Sequence, residues 1–166
     1  NLAGHGAGSV LDQLVKIEAD YYCTNGAIPM ADGGIAAVEG TPMDFRTFSP
    51  VGRALRSDFV QLRQVGGFNH TYVLRKRERG ALELAASMYD PGSGRKMEVY
   101  TTMPGLHFFS ANKTTPRTGK CGATYDRQFG LCFETQFFSN SAKCTWFPSP
   151  VLRKENSYRQ VTEFRF

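Results

Sequence analysis

The sequence lacks any long apolar run, and this absence argues against a helical membrane anchor. None of its 166 residues fall in an apolar stretch near the roughly 20 residues that a transmembrane helix needs. The amino terminus has no basic segment followed by an apolar one, as a secretion signal would. The first residue is Asn1 rather than methionine, so the sequence reads as one entered partway through. We expect a cytoplasmic protein with no membrane partner.

Cysteine is scarce, and its spacing argues against the common metal motifs. The four cysteines form no C-x-x-C pair and have no histidine nearby at ligand spacing: Cys23, Cys121, Cys132 and Cys144. We therefore expect no metal site. Two disulfides are possible by number, but without a secretion signal free thiols in a reducing compartment are favoured.

A strong charge of one sign is also missing. The chain has 20 Lys and Arg against 15 Asp and Glu, a net charge of +5. No stripe of basic and aromatic residues indicates nucleic-acid binding, so we expect no nucleic-acid partner. The densest basic cluster, Arg75–Arg79, is more typical of a solvated loop between two strands.

What the sequence does contain is a series of short strands separated by turns. Apolar and polar residues alternate over Val15–Tyr22, Leu82–Tyr89 and Met97–Thr101. The only helical spacing lies within Pro50–Arg63. We therefore predict an all-β sandwich of mostly antiparallel strands, with residues 1–166 as a single domain or part of one.

Short sequences that contain glycine predict further turns near the start of the chain. Asn25-Gly26 and Asp32-Gly33-Gly34 are typical turn sequences on either side of a short, proline-containing segment. After them a short strand is expected from Ile35 to Glu39.

The predicted strand Gly130–Phe138 carries the most informative residue. Its alternation places Phe133 on one face and Glu134 on the other, so a carboxylate lies within an apolar, aromatic strand. An ionised carboxylate there must be hydrated or hydrogen-bonded, and such surroundings can tune it into a general base. The alternative is an ordinary glutamate on the solvent side of a sheet, which is more frequent on this pattern alone.

Seven motifs occur along the chain in an order that is specific as a set. They are Asn1–Gly4, Gly40–Arg46, Gly66–His70, Ser93–Arg95, Thr101–Gly105, Leu131–Gln136 and Phe147–Ser149. Together they resemble the aldose 1-epimerase, or galactose mutarotase, family. The resemblance implies the C-terminal portion of a galactose mutarotase-like β-supersandwich. It also implies interconversion of the α and β anomers of a free hexose such as galactose or glucose.

The resemblance implies roles for three residues. Glu134 corresponds to the glutamate that takes the proton from the anomeric hydroxyl before the ring opens, which makes it the catalytic base. Asn69 stands where the family has a sugar-binding aspartate, and an amide still forms hydrogen bonds but carries no charge. His107 stands at a sugar-facing position and would bind a hydroxyl, or it is a structural histidine. This acid–base chemistry needs no metal or organic cofactor.

The family's catalytic histidine lies in a motif of which this chain has only the part from Asn1 onward. No motif assigns that acid role to His5, His70 or His107. His70 follows the sugar-facing Asn69 by one residue, so we expect it to point away from the sugar and to be structural. We expect the chain alone to be inactive and to associate with the missing N-terminal half or as a homo-oligomer, because its sheet edges would be unpaired.

Two other functions remain open. A carbohydrate-binding or structural protein that lost the chemistry is favoured by Asn69, which replaces a carboxylate. An epimerase of hexose 6-phosphates would use Arg75–Arg79 or Lys113–Lys120 near the phosphate. The Leu-Ala-Gly and Glu-Thr-Gln motifs resemble the branch that acts on unphosphorylated sugars more closely.

Overall fold

Most of the regular structure of the chain is β-strand. The computed structural model describes residues 1–26 and 30–166, and these residues form twelve strands and two short α-helices. The strands are β1 (Leu14–Ile17), β2 (Ala19–Asn25), β3 (Ala31–Ala37), β4 (Ser49–Pro50), β5 (Asn69–Leu74), β6 (Glu83–Tyr89), β7 (Lys96–Thr101), β8 (Gly105–Phe109), β9 (Arg117–Thr118), β10 (Thr124–Tyr125), β11 (Cys132–Gln136) and β12 (Thr162–Arg165). The helices are α1 (Val51–Leu55) and α2 (Val60–Val65), and Lys120–Gly122 forms a 3₁₀ turn.

The strands build two five-stranded sheets and one short ribbon. The first sheet has the order β12-β7-β6-β1-β4, the second has the order β11-β8-β5-β2-β3, and β9 pairs with β10 in the ribbon. Each of these strand pairs is antiparallel. The prediction of an all-β fold with mostly antiparallel strands is confirmed.

The main core joins side chains of the two sheets. Val15, Met88 and Val99 contribute from the first sheet, and an aromatic group contributes from the second sheet and its flanking loops. In that group the ring centroids of Phe68 and Phe108 lie 4.8 Å apart. Edge-to-face and tilted contacts of this kind add to the free energy gained by burying the rings.

The predicted strand Val15–Tyr22 is two strands in two different sheets. β1 pairs with β4 and β6 in the first sheet, whereas β2 pairs with β3 and β5 in the second. The register shifts between Ala19 and Tyr21, and as a result Tyr21 is 51% exposed while Tyr22 is buried. Alternation alone predicted Tyr21 on the buried side. That interpretation was wrong because a bulge reverses the facing of the residues that follow it.

The predicted turn at Asp32-Gly33-Gly34 lies inside β3 instead. A Cβ on Gly33 would lie 2.8 Å from the Trp146 ring and 2.9 Å from Cys144 Sγ. Gly33 also has a left-handed φ of 91°, so both its backbone conformation and the close packing of a later loop favour glycine here. The proline-containing segment that precedes it falls outside the described residues.

The predicted helix within Pro50–Arg63 is divided into α1 and α2. Helix α2 ends at Gly66, which has a left-handed φ of 74°. At Gly67 a Cβ would lie 2.2 Å from Asn112 Oδ1, so only glycine fits. Asn112 Nδ2 donates to Phe68 O at 2.7 Å, and Phe68 N donates to Ser110 Oγ at 2.9 Å. These bonds hold the start of β5 against the end of β8.

Within the part of the chain that the structure describes, none of the helices is long and apolar enough to cross a membrane.

Candidate functional site

Three neighbouring strands of the second sheet bring the predicted site residues onto one face. In the register of β5, β8 and β11, Thr71 lies opposite His107, and His107 lies opposite Glu134. Asn69 lies two residues before Thr71 on β5. Directly opposite residues on antiparallel strands point to the same face with their Cβ atoms about 4.5–5.5 Å apart. Asn69, Thr71, His107 and Glu134 therefore share the face of the sheet that is turned away from the core.

A cavity of about 200 Å³ opens on this face. Its lining consists of residues from β2, β3, β5 and β8, the residue before β3 and the loop after β11: Cys23, Asn25, Met30, Ala31, Asn69, Thr71, His107 and Ser139. Glu134 is not part of this lining and lies beside His107 on β11, which forms an edge of the sheet. The structure thus brings Asn69 and His107 into one cavity and places Glu134 next to it.

Both ring nitrogens of His107 are hydrogen-bonded. His107 Nε2 lies 3.1 Å from Asn69 Oδ1, and Nδ1 lies 3.0 Å from Thr71 Oγ1. Burial lowers the pKa of His107 below its usual 6.5, and the Glu134 carboxylate acts in the opposite direction. A lowered pKa keeps the ring neutral near pH 7, so His107 serves as a hydrogen-bonding group rather than as a charge.

Glu134 is an exposed carboxylate on an otherwise half-buried strand. Its neighbour Phe133 is buried in the main core on the other face, as the alternation predicted. Because Glu134 is exposed, a ligand can reach its carboxylate from solvent. An ionised carboxylate of this kind can accept a proton from a hydroxyl that reaches it.

The other two histidines lie away from the cavity lining. His70 is 1% exposed on the opposite face of β5, where its ring packs edge-on against Tyr22 at 5.9 Å. Its buried position agrees with the structural role expected for it. His5 is exposed, and its Nε2 lies 2.8 Å from the Tyr125 hydroxyl.

The cavity also contains residues that the sequence analysis did not single out. Thr71 shares the period-two pattern of Asn69, so alternation along β5 was a signal that could have identified it. Ser139 follows the end of β11 and has no such signal. Cys23 lines the cavity as a thiol whose pKa burial raises to about 12, with the neighbouring Cys144 and Asp32 as smaller contributions. A protonated, buried thiol is not a nucleophile.

The basic cluster Arg75–Arg79 is remote from Asn69. It begins where β5 ends, and Arg75 is six positions after Asn69, a distance on the order of 20 Å along an extended strand. Arg75 is paired with Asp20 at 3.0 Å. Lys76 and Arg79 line a separate cavity of about 850 Å³ at that end of the molecule. This cluster therefore lies at the opposite end of β5 from Asn69, beside a different cavity.

Within residues 1–26 and 30–166, no three side chains of His, Cys, Asp or Glu converge so that they could hold a metal ion.

Solved structures first define the class of protein by its fold. The crystal structure of an aldose epimerase homologue from C. elegans superimposes with a TM-score of 0.81 at 23% identity, over 96% of this chain and 47% of that one. Galactose 1-epimerase from Lactobacillus acidophilus NCFM superimposes with a TM-score of 0.68 at 22% identity, over 95% of this chain and 43% of that one. The fold is therefore that of the galactose epimerases, as the resemblance implied.

Sequence comparison then defines the family. The family model described as aldose 1-epimerase matches residues 1–165. Galactose mutarotase of Bos taurus is 36% identical over 169 residues, covering 100% of this chain and 47% of the relative. Aldose 1-epimerase of Escherichia coli (strain K12) is 30% identical over 173 residues, covering 100% and 48%. The chain belongs to the aldose 1-epimerase family, and it spans about half the length of the curated relatives that it matches.

Proposed function

We propose that the protein is an aldose 1-epimerase that interconverts the α and β anomers of a free hexose, galactose or glucose. The observation that carries the proposal is the row Thr71, His107 and Glu134 across three adjacent strands, next to a cavity that contains Asn69. This row supports the proposal because hydrogen-bonding groups and an exposed carboxylate lie side by side on one face of the sheet.

In the proposed reaction, Glu134 accepts the proton of the anomeric hydroxyl. The bond between C1 and the ring oxygen then breaks as the C1 carbonyl forms, and the ring oxygen gains a proton. Rotation about the C1–C2 bond and the reverse transfers close the ring on the other face. Asn69 holds a sugar hydroxyl during these steps, and His107, whose two ring nitrogens are bonded to Asn69 and Thr71, orients the Asn69 amide. No metal or organic cofactor takes part.

The proton for the ring oxygen is proposed to come from a histidine in a segment that this chain does not contain. The proposal rests on the family motif, which assigns that role to none of His5, His70 and His107. It follows that the chain alone is inactive and that the active form includes an N-terminal half or a second chain. The intact mass of the protein from its source, compared with 18.5 kDa, tests this requirement directly. A cytoplasmic location belongs to the same proposal and fits the four free thiols.

The test of the base is Glu134→Gln, measured by polarimetry on freshly dissolved α-D-galactose or α-D-glucose with the protein expressed from its complete gene. Glutamine preserves the shape of the side chain but cannot accept the proton. The catalysed rate is expected to fall by on the order of 10²–10⁴ while sugar affinity changes little.

Glu163→Gln is the matched control, because Glu163 also lies on an edge strand, β12, but in the other sheet. Its rate is expected to equal that of the wild type. If Glu134→Gln retains the wild-type rate, Glu134 is not the base.

A second candidate function is sugar binding without catalysis, and the observation that favours it is Asn69. A neutral amide occupies the position of the family's aspartate, and its Oδ1 is bonded to His107 Nε2. If the protein is an aldose 1-epimerase, Asn69→Asp should raise turnover, because a charged acceptor holds the sugar hydroxyls more tightly. Wild-type protein that binds galactose but shows no rate above the spontaneous one would establish the binding function instead.

A further inference from the structure

A chain of four hydrogen bonds runs across β11, β8 and β5 beneath the cavity. Gln136 Nε2 donates to Ser139 Oγ at 3.5 Å, and Ser139 Oγ lies 2.8 Å from Thr71 Oγ1. Thr71 Oγ1 lies 3.0 Å from His107 Nδ1, and His107 Nε2 lies 3.1 Å from Asn69 Oδ1. All five hydrogen-bonding groups are side chains. The series of bonds ends at Asn69, which replaces the family's aspartate.

The chemistry of the end groups determines the direction of these bonds. In this structure the Asn69 amide turns its Oδ1 atom toward His107 Nε2, and because Oδ1 can only accept, Nε2 carries the hydrogen in this orientation. A neutral imidazole carries one hydrogen, so Nδ1 is an acceptor and the Thr71 hydroxyl donates to it. The Thr71 oxygen is then free to accept from Ser139, whose own oxygen accepts from Gln136. Burial, which lowers the pKa of His107, keeps the ring neutral as this scheme requires.

This direction determines which end of the Asn69 amide faces a ligand. Its Oδ1 is occupied by His107, whereas Nδ2 forms no hydrogen bond among the described residues. Asn69 is half-buried and lines the cavity, so its amide group can be reached by a ligand there. The accessible group is therefore an N–H donor, where an aspartate would present only acceptors.

We propose that Thr71 and Ser139 are positioning residues that hold His107 as the Nε2–H tautomer and thereby aim the Asn69 N–H group at the ligand. The ligand must then present an acceptor oxygen to Asn69, where an aspartate would require a hydroxyl that donates. The role of Asn69 toward the ligand rests on the proposed function, because the ligand is taken to be a hexose. Only the second of the two tests below depends on that function.

The first test does not depend on any ligand. Long-range ¹H–¹⁵N spectra of the labelled, intact protein near neutral pH report the tautomer of His107, with His107→Gln identifying its signals. Wild type and Thr71→Ser are expected to show a single Nε2–H tautomer with a hydrogen-bonded Nδ1. Thr71→Val keeps the shape but removes the hydroxyl, so the Nδ1 signal should move to that of an unbonded nitrogen and the single tautomer should be lost.

An Nδ1–H tautomer in the wild type would overturn the proposal, and so would unchanged His107 signals in Thr71→Val. Because Thr71→Ser keeps the donor, its recovery of the wild-type signals separates positioning by the hydroxyl from a general loss of packing. A folded Ser139→Ala protein should show a shift of the His107 Nδ1 signal between those of wild type and Thr71→Val. In this variant Thr71 still donates to His107, but the Ser139 hydroxyl no longer donates to Thr71.

The second test compares dissociation constants for galactose and for its monofluorinated analogues, in which fluorine accepts weakly but cannot donate. At the carbon whose oxygen meets Asn69, the loss of affinity on fluorination should be on the order of tenfold greater in Asn69→Asp than in wild type. Equal losses in both proteins at every position would refute the donor role of Asn69. If no sugar binds to the wild type, the proposed function fails, and the tautomer of His107 still decides the positioning roles.

Discussion

The two faces of the second sheet show how one set of strands can serve both the core and a binding site. On the inner face Tyr72, Phe108 and Phe133 are at most 8% exposed, and they pack as rings against the first sheet. On the outer face polar side chains lie among apolar ones, with Thr71, His107 and Glu134 in one row. Because side chains alternate along a strand, rigid packing on one face fixes the positions of polar groups on the other.

The histidines on the two faces make the comparison sharper. His70 accepts a hydrogen bond from the Asn69 N–H at its Nδ1, and its buried Nε2 has no hydrogen-bond partner among the described residues. His107 has partners at both nitrogens. An unpaired buried N–H is costly, whereas a fully bonded ring is held in one orientation. The same side chain therefore has an unpaired ring nitrogen in the core on one face and is an oriented hydrogen-bonding group on the other.

The largest expected effect is on the inner face. Phe108→Ala removes a ring with no exposed surface that contacts Phe68 and Phe133. The free energy of unfolding should fall by about 3–5 kcal/mol, because both burial and packing are lost. Urea denaturation measures this change. Phe109→Ala, one residue further along and on the outer face, should cost less than half as much, and equal costs would contradict the division into two faces.

A smaller effect is expected from the titration of His70. Burial lowers its pKa from 6.5 to about 4, and the nearby His107 adds to the shift. Between these values the unfolded chain binds a proton that the folded protein does not bind. The contribution of a neutral His70 to the free energy of unfolding is thus fully present above pH 6.5 and is lost as the pH falls to 4. The loss is on the order of 3 kcal/mol.

Urea denaturation across this pH range measures that loss, with His70→Asn as the test variant. Asparagine keeps an acceptor for the Asn69 N–H but does not titrate, so this part of the pH dependence should disappear. His5→Asn is the control, because His5 is exposed. An unchanged pH dependence in His70→Asn would mean that His70 is already protonated in the folded protein or is not buried.

The smallest expected effect tests whether the outer face depends on close approach of β11 to β8. A Cβ on Gly105 would lie 3.0 Å from Gln136 O and from Thr71 Cγ2, and 2.9 Å from the Phe138 ring. Gly105→Ala should therefore displace β11 and cost about 1–3 kcal/mol of unfolding free energy, measured with urea. Gly130→Ala is the control, because a Cβ there meets no atom within 4 Å. Equal stability of the two variants would show that β11 is free to move.

Alternation predicted the site strands well because these strands are regular. Glu134 on the face opposite Phe133, and His70 on the face opposite Asn69, both follow from a period of two. The same rule failed over Val15–Tyr22, where a shift of register reverses the facing of the chain. Such a shift depends on how β2 pairs with β5, a strand about 50 residues away, and local pattern carries no information about it.

The sequence by itself determined the all-β class, the family and the identity of Glu134, Asn69 and His107 as candidates. The all-β class and the facing of Glu134 follow from local alternation, whereas the family and the candidate roles of Asn69 and His107 follow from the resemblance of ordered motifs to a known family. Only the tertiary structure showed that Thr71 and Ser139 bond to each other and to His107, and that the basic residues after β5 lie far from Asn69. The physical reason is that hydrogen bonds across strands depend on register. Register results from the packing of the whole core, in which residues distant in sequence become neighbours.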